Sequence, residues 1–313
     1  MHIIFFGSTN DALLIAKAIH ANYPLAAVVT QPAKPVGRNK TITKTPLELW
    51  ATEQKIPCLT FAADAEHGWK YNNDAAVTNS LATWKPDLFI TACYGQKLPS
   101  DALALPTIGA LNIHPSLLPR WRGADPVPWT IIAGDAQTGV TISTITNTFD
   151  SGDIVAQKKR AVTLHDQPDA LRTTLFTMGA ELLLEILPAY SKRSIKPTPQ
   201  KQEDVVIARK LTRDDGYIPY DLVQEAIVGH DVKREKRTGL TAAIDQPLPE
   251  TIVRLGRALS PWPGIWTTVT YEGKDMRVKL FDLTLTGNTL SIGKVQREGK
   301  NPTDWKTFQQ AYL

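Results

Sequence analysis

GALNIHPSLLPRWRG (Gly109–Gly123) starts as an apolar strand that carries two polar residues and then stops. Residues 109–114 have strand character. Pro115 ends the run, and residues 116–119 form a loop whose backbone can come close to a ligand. Alternate side chains of an extended segment share a face, so Asn112 and His114 point into one cleft at a strand end. Farther along, Phe149-Asp150-Ser151-Gly152-Asp153 follows another strand and offers two carboxylates. Asp150 is the candidate to reach the imidazole, and Asp153 reads better as a turn residue. An amide donor, an imidazole that handles protons near neutrality and a carboxylate that orients it suit acyl transfer to an amine. The plain alternative for His114 is a satisfied histidine of the core.

Outward from this stretch, strand and helix patterns alternate. Residues 2–6, 25–30, 57–61, 87–94, 139–146 and 154–162 read as further strands. Residues 11–21 show helical spacing through Leu13, Leu14, Ala16, Ala18 and Ile19, residues 46–54 open on a helix-starting proline, and residues 168–190 form a long helix. This alternation predicts an α/β, Rossmann-like domain with a mainly parallel sheet. At residues 191–204 the composition turns polar and proline-broken, with Lys192, Arg193, Lys196 and Lys201, as in a linker. Beyond it, helices at 217–226 and 250–259 and short strands at 265–271, 276–285 and 289–295 predict a small OB-like β-barrel. The expected division is a catalytic domain at 1–190, a basic linker at 191–206 and a C-terminal domain at 207–313.

The 313 residues suffice for two domains, and a net charge of +4 is only mildly basic. Cys58 and Cys93 are the only cysteines, each in an apolar run, and read as reduced buried thiols. There is no basic leader and no apolar run near the ~20 residues a membrane span requires, so a cytoplasmic protein is expected. The six histidines are scattered without metal-ligand spacing, so no metal is expected. Gly7-Ser8-Thr9 lacks the further glycines of a dinucleotide fingerprint and reads as a structural turn, and Ser116 lacks a G-x-S-x-G frame. QPAKPVGRNKTITK (residues 31–44) has two prolines and Gly37, which predict neither helix nor strand. Lys34, Arg38, Lys40 and Lys44 make it positive. It reads either as a solvated surface loop or as a phosphate-binding loop after a strand end.

Taken together, Asn112-Ile113-His114-Pro115-Ser116-Leu117-Leu118-Pro119, Gly134-Asp135, Gly139-Val140-Thr141 and Asp150-Ser151-Gly152-Asp153 resemble the folate-dependent formyltransferases. Thr30-Gln31-Pro32 with Pro35, Gly37 and Arg38, and Arg257-Ala258-Leu259-Ser260-Pro261-Trp262-Pro263-Gly264, are similar to the branch of that family that formylates a tRNA. The resemblance implies transfer of a formyl group from 10-formyltetrahydrofolate to the α-amine of methionine on initiator tRNA by a monomeric enzyme. Asn112 would donate to the oxyanion. His114, kept charged by Asp150, would assist proton transfer to the folate nitrogen. Ser116, Leu117, Leu118 and Pro119 would line the folate site largely through backbone groups. Arg38 would enter the acceptor stem, with Lys34, Lys40 and Lys44 as further tRNA contacts. A sugar-nucleotide or glycinamide ribonucleotide formyltransferase would keep the three catalytic residues, and a non-catalytic tRNA-binding protein could share the scaffold. Departures from the family pattern are Ser8-Thr9-Asn10, Asn39 and a poorly matching stretch at 223–249. Within that stretch Lys233-Arg234-Glu235-Lys236-Arg237 reads equally as a further tRNA patch and as a solvated helix end.

Overall fold

The computed structural model describes residues 1–37 and 39–313. It divides into two compact units, one made of Met1–Pro126, Gln137–Ala161 and Leu171–Ala208, the other of Val127–Ala136, Val162–Ala170 and Arg209–Leu313. The stretch 191–206 therefore packs as part of the first unit.

In chain order the first two thirds form β1 (Ile3–Phe6), α1 (Asn10–Asn22), β2 (Leu25–Thr30), β3 (Lys34–Val36), β4 (Thr41–Thr43), α2 (Pro46–Glu53), β5 (Cys58–Thr60), α3 (Asp74–Ala82), β6 (Leu88–Thr91), α4 (Ser100–Leu103), β7 (Gly109–His114), β8 (Arg122–Gly123), α5 (Pro126–Ala133), β9 (Gln137–Thr144), β10 (Ile154–Ala161), α6 (Pro168–Ser191) and β11 (Ile207–Ala208). Seven strands make one sheet in the order β10-β9-β7-β6-β1-β2-β5. The run from β7 to β5 is parallel, and β9 and β10 are antiparallel to their neighbours. Strand order reverses at β1, with β2 and β5 on one side and β6 and β7 on the other. Open α/β sheets bind ligands at such a point, outside the carboxyl ends of the strands.

The central strands are apolar throughout because both faces are covered. Ile3 and Phe5 of β1 join Ile15 and Ile19 of α1, Leu88, Ile90, Leu111 and Ile113 in one core cluster. Ile4 and Phe6 join Leu81, Phe89 and Ala110 in the cluster on the other face. The period of two along each strand thus feeds two cores. Gly7-Ser8-Thr9 is the structural turn expected of it. Thr9 caps α1 by accepting from the Ala12 N–H (3.3 Å), and the Ser8 hydroxyl accepts from the Gln31 N–H (3.1 Å).

One expectation is overturned. Residues 34–36 and 41–43 are strands: β3 and β4 pair as an antiparallel hairpin in the register Lys34↔Thr43, Pro35↔Ile42, Val36↔Thr41. The β-branched run Thr41-Ile42-Thr43 supplies strand preference, and an isolated hairpin tolerates a proline on its edge. Gly37 at φ +73° and Lys40 at φ +47° turn the chain. Sequence periodicity also did not reveal α3, α4, α5 and the C-terminal helix described next, the first three of which are short.

The second unit holds α7 (Tyr220–Ile227), α8 (Gly239–Ala243), α9 (Leu248–Ala258), a sheet of β12 (Trp266–Tyr271), β13 (Lys274–Thr286), β14 (Thr289–Arg297) and β15 (Thr303–Asp304), and α10 (Trp305–Tyr312). The four strands pair antiparallel in chain order, which is the small β domain expected there. Leu248, Thr251, Ile252, Leu255 and Ala258 form the buried stripe of α9, at the spacing of an amphipathic helix, and α9 packs on β13 and β14. In the poorly matching stretch, Arg237 is buried, and its guanidinium donates to the carbonyls of Val232 and Gln246 and to Asp231. That residue ties its own loop together, so the basic run is not uniformly available to a partner.

Because Phe5 is fully buried on the central strand, Phe5→Ala should lower unfolding free energy by about 3–5 kcal/mol. Urea denaturation followed by far-UV circular dichroism measures it.

Candidate active site

Asn112 and His114 alternate along β7 with Leu111 and Ile113, which belong to one core cluster, and so share the opposite face with Ala110. Across the sheet Asn112 lies between Thr91 of β6 and Ser143 of β9, and His114 opposite Thr141. Asp150 arrives from the β9–β10 connection. Its Oδ1 accepts from Asn112 Nδ2 at 3.2 Å and lies 3.4 Å from His114 Nδ1. Its Oδ2 accepts from the Gly123 N–H at 2.9 Å. The three sequence-derived residues therefore meet at one carboxylate oxygen. Asp153 stays outside this group, its backbone paired with Thr144.

The neighbours fix the chemistry of each group. Thr91 donates its hydroxyl to Asn112 Oδ1 at 2.6 Å, which turns the amide nitrogen toward Asp150 and leaves one N–H to spare. His114 Nε2 lies 2.8 Å from the Trp121 carbonyl oxygen. A carbonyl oxygen only accepts, so Nε2 is the protonated nitrogen toward Trp121, and Nδ1 is the one that faces Asp150. The side chains of His114 and Asp150 are 6% and 12% exposed, so their attraction acts with little water between them.

Two glycines make the geometry possible. Gly123 stands at φ +120°, and a Cβ there would lie 2.6 Å from the Ala208 carbonyl oxygen. A Cβ on Gly152 would lie 1.8 Å from the Thr144 carbonyl oxygen. Asp150 itself has φ +54°, in the left-handed region, which costs an L-residue roughly 1–2 kcal/mol unless the surroundings hold it.

Most polar groups of the loop at 116–119 have partners within the protein. The Ser116 hydroxyl donates to the Arg120 carbonyl (2.7 Å), and the Ser116 carbonyl accepts from Thr141 Oγ1 (2.6 Å). Leu118 donates its N–H to Thr141 Oγ1 (3.0 Å) and accepts from Gln157 Nε2 at its carbonyl (2.8 Å). The carbonyls of Leu117 and Pro119 take the N–H groups of Arg120 and Val206. These bonds tie the loop to β9, β10 and residue 206 and so buttress His114.

A cleft of about 280 Å³ opens nearby, lined by Trp69, Lys70, Lys97, Leu98, Pro99 and Asn147 among others. It draws on the segments after β5, β6 and β9. The Lys70 and Lys97 ammonium groups lie 5.0 and 5.9 Å from the centre of the Trp69 ring system, and Phe149, the residue before Asp150, meets Trp69 edge-on at 6.2 Å. An exposed indole flanked by two cations suits a ligand both aromatic and anionic. No sequence signal marked these residues, because they come from three segments that only the topology joins.

In the basic hairpin, Lys34 donates to Gln31 Oε1 (2.7 Å) and Lys44 pairs with Glu48 (3.0 Å), while Lys40 is exposed; Arg38 lies outside the described residues. Among the described residues no group of three or more His, Cys, Asp and Glu could hold a metal ion, and no helix is long and apolar enough to cross a membrane.

Several buried acids lie near the strand ends. Tyr71 donates its hydroxyl to Tyr94 at 2.9 Å, and burial raises both phenols. Burial also pushes the Cys93 thiol up to about 12 and the Cys58 thiol up to about 11. The fold thus favours their protonated forms. The stability they contribute is complete below the unfolded values of 9.0 for thiol and 10.0 for phenol, and is lost as pH rises through the folded ones. Urea midpoints should therefore fall progressively above pH 9. At pH 8, iodoacetamide should label neither cysteine until the protein is denatured.

The formyl transferase family model matches residues 1–187. A methionyl-tRNA formyltransferase of Roseiflexus sp. (strain RS-1) is 35% identical over 280 residues, spanning 89% of this chain and 75% of that protein. One from Listeria monocytogenes is 34% identical over 272 residues, spanning 85% and 75%. The solved structure of a sugar N-formyltransferase from Shewanella sp. superposes with a TM-score of 0.56 at 16% identity, covering 91% of this chain and 99% of that one, a likeness of fold. With a carboxylate, an imidazole and an amide gathered at the ends of its strands, the chain belongs to the formyl transferase family.

Proposed function

We propose that this protein transfers a formyl group from 10-formyltetrahydrofolate to the α-amine of methionine on initiator tRNA, acting as a monomer in the cytoplasm. The observation that carries the chemistry is the convergence of Asn112 and His114 on Asp150 Oδ1. The relatives named methionyl-tRNA formyltransferase support the choice of acceptor.

The folate supplies the formyl carbon, and the chain handles the charge and the protons. As the amine attacks, the formyl oxygen gains negative charge, and the spare Asn112 N–H is the donor free to meet it, while His114 Nδ1 is turned toward Asp150. Asp150 Oδ1 accepts the proton the amine must lose. His114 then gives a proton to the folate nitrogen as its bond to the formyl carbon breaks, which leaves a formamide and a neutral secondary amine on the folate, and Asp150 passes the proton it took to His114. The donor fits the cleft beside Trp69: its aromatic rings match the indole, its carboxylates match Lys70 and Lys97, and Phe149 leads from there to Asp150. Residues 116–119 act as the wall behind His114.

Incubation with 10-formyltetrahydrofolate and methionyl initiator tRNA should yield formylmethionyl-tRNA. Asn112→Ala should lower kcat roughly 10²–10³-fold, the usual effect of removing one oxyanion donor. Asp150→Asn should abolish turnover with circular dichroism unchanged, and normal turnover in that variant would refute the role of Asp150.

For the acceptor, the β3–β4 hairpin with Arg38, Lys34, Lys40 and Lys44 meets the acceptor stem, and residues 207–313 bind RNA phosphates. Lys40→Glu should raise KM for tRNA, reduce the slope of log affinity against log salt by about 1 and leave folate affinity unchanged. An unchanged salt slope would remove Lys40 from the interface.

A further inference from the structure

Gln200 lies in the stretch that reads as a linker, yet it is 6% exposed and every polar atom of its side chain is used. Its Nε2 donates to the carbonyl oxygens of Asp150 (2.9 Å) and Gly152 (2.6 Å). Its Oε1 accepts from Arg122 Nε at 2.9 Å. The partners fix which end of the amide faces which way, since two carbonyls require the nitrogen and a guanidinium requires the oxygen.

Both segments that Gln200 touches hold the catalytic group. Arg122 follows Trp121, whose carbonyl accepts from His114, and precedes Gly123, whose N–H binds Asp150 Oδ2. Asp150 and Gly152 are the turn that presents the carboxylate. The surrounding strap is bonded along its length: Thr198 and Ile154 exchange two backbone hydrogen bonds at 2.8 Å, Arg122 donates its N–H to the Val206 carbonyl at 2.9 Å, and β11 pairs with β8. Arg122 is itself buried, and its Nη2 has no hydrogen-bond partner. A buried cation kept with one end unsatisfied is costly, and a demand for exact placement elsewhere accounts for keeping it.

We propose that Gln200 is a positioning residue. Its amide clamps the 150–152 turn to the 121–123 segment, holds Asp150 in its left-handed conformation and sets Oδ1 against His114 and Asn112. Without it, two buried carbonyls lose their donors and the turn relaxes toward ordinary backbone angles, which carries the carboxylate away from the imidazole. A displacement of about 1 Å at a reacting centre is worth roughly 10²-fold in rate.

The kinetic part of the test rests on the formyl-transfer reading, and the spectroscopic part does not. Gln200→Ala removes the clamp. Gln200→Glu keeps an acceptor for Arg122 but sets a carboxylate against two carbonyls. Both should lower kcat roughly 10²-fold, with KM for each substrate within about threefold of wild type, and both should displace the pH–rate profile. In nitrogen-15 NMR of the imidazole, the His114 Nδ1 resonance should move in both variants. Wild-type kcat, or an unmoved Nδ1 resonance, in a folded Gln200→Ala protein would overturn the proposal. Should that variant not fold, Arg122→Lys keeps the charge and loses the planar N–H, and the same two results in it decide the matter. A wild-type protein that fails to formylate methionyl-tRNA would refute the proposed acceptor, while the His114 resonances would still decide for or against Gln200.

Discussion

Asp150 holds a charge where little water reaches it, and the first unit is arranged to make that tolerable. A carboxylate removed from water is strongly disfavoured unless hydrogen-bond donors replace the lost hydration. Here the Asn112 amide and the Gly123 backbone donate to it, and the His114 imidazole lies 3.4 Å away. Two of these groups come from alternate positions of β7 and one from β8. Sheet register, the buttressing loop at 116–119 and the strap at 198–208 all act on this one constraint. The Asn112 amide, held on its oxygen by Thr91, keeps one N–H beyond this compensation.

Reactive and recognition surfaces differ in how they are built. The group around Asp150 is held closely: most of its polar atoms are paired, and a Cβ on Gly123 or Gly152 would meet a backbone carbonyl. The cleft beside Trp69 and the β3–β4 hairpin are exposed, with lysine side chains held at most by single partners. Placement to fractions of an ångström is needed where bonds change, whereas screened attraction between mobile charges suffices to collect an anionic partner.

The same difference explains what could be read from sequence. The central strands of the main sheet were legible because they are apolar runs bounded by Gly, Pro or a cap, and β2 and β7 coincide with their expected limits. Asn112 and His114 were legible because polar residues interrupt an apolar strand at its end. Asp150 was found on a strand-end turn, although its partner Gly123 was not. The hairpin was missed because its prolines outweighed three β-branched residues in the reading. Gln200 was missed because a lone glutamine among lysines and prolines looks like solvent-exposed chain, and its burial follows only from the β8–β11 pairing. The cleft was invisible for a related reason: Trp69, Lys97 and Asn147 share no local pattern.

The alternation along β7 has a last consequence. Leu111 and Ile113 serve the core, while Asn112 and His114 meet Asp150 on the opposite face. One inserted or deleted residue between Gly109 and His114 would exchange the two sets, burying an amide and an imidazole among aliphatic side chains and turning leucine and isoleucine toward the substrate. In this strand, foldability and catalysis are a single parity, and drift in length is closed to it. The exposed turns at 272–273 and 287–288, which no such parity binds, are where the chain is free to grow.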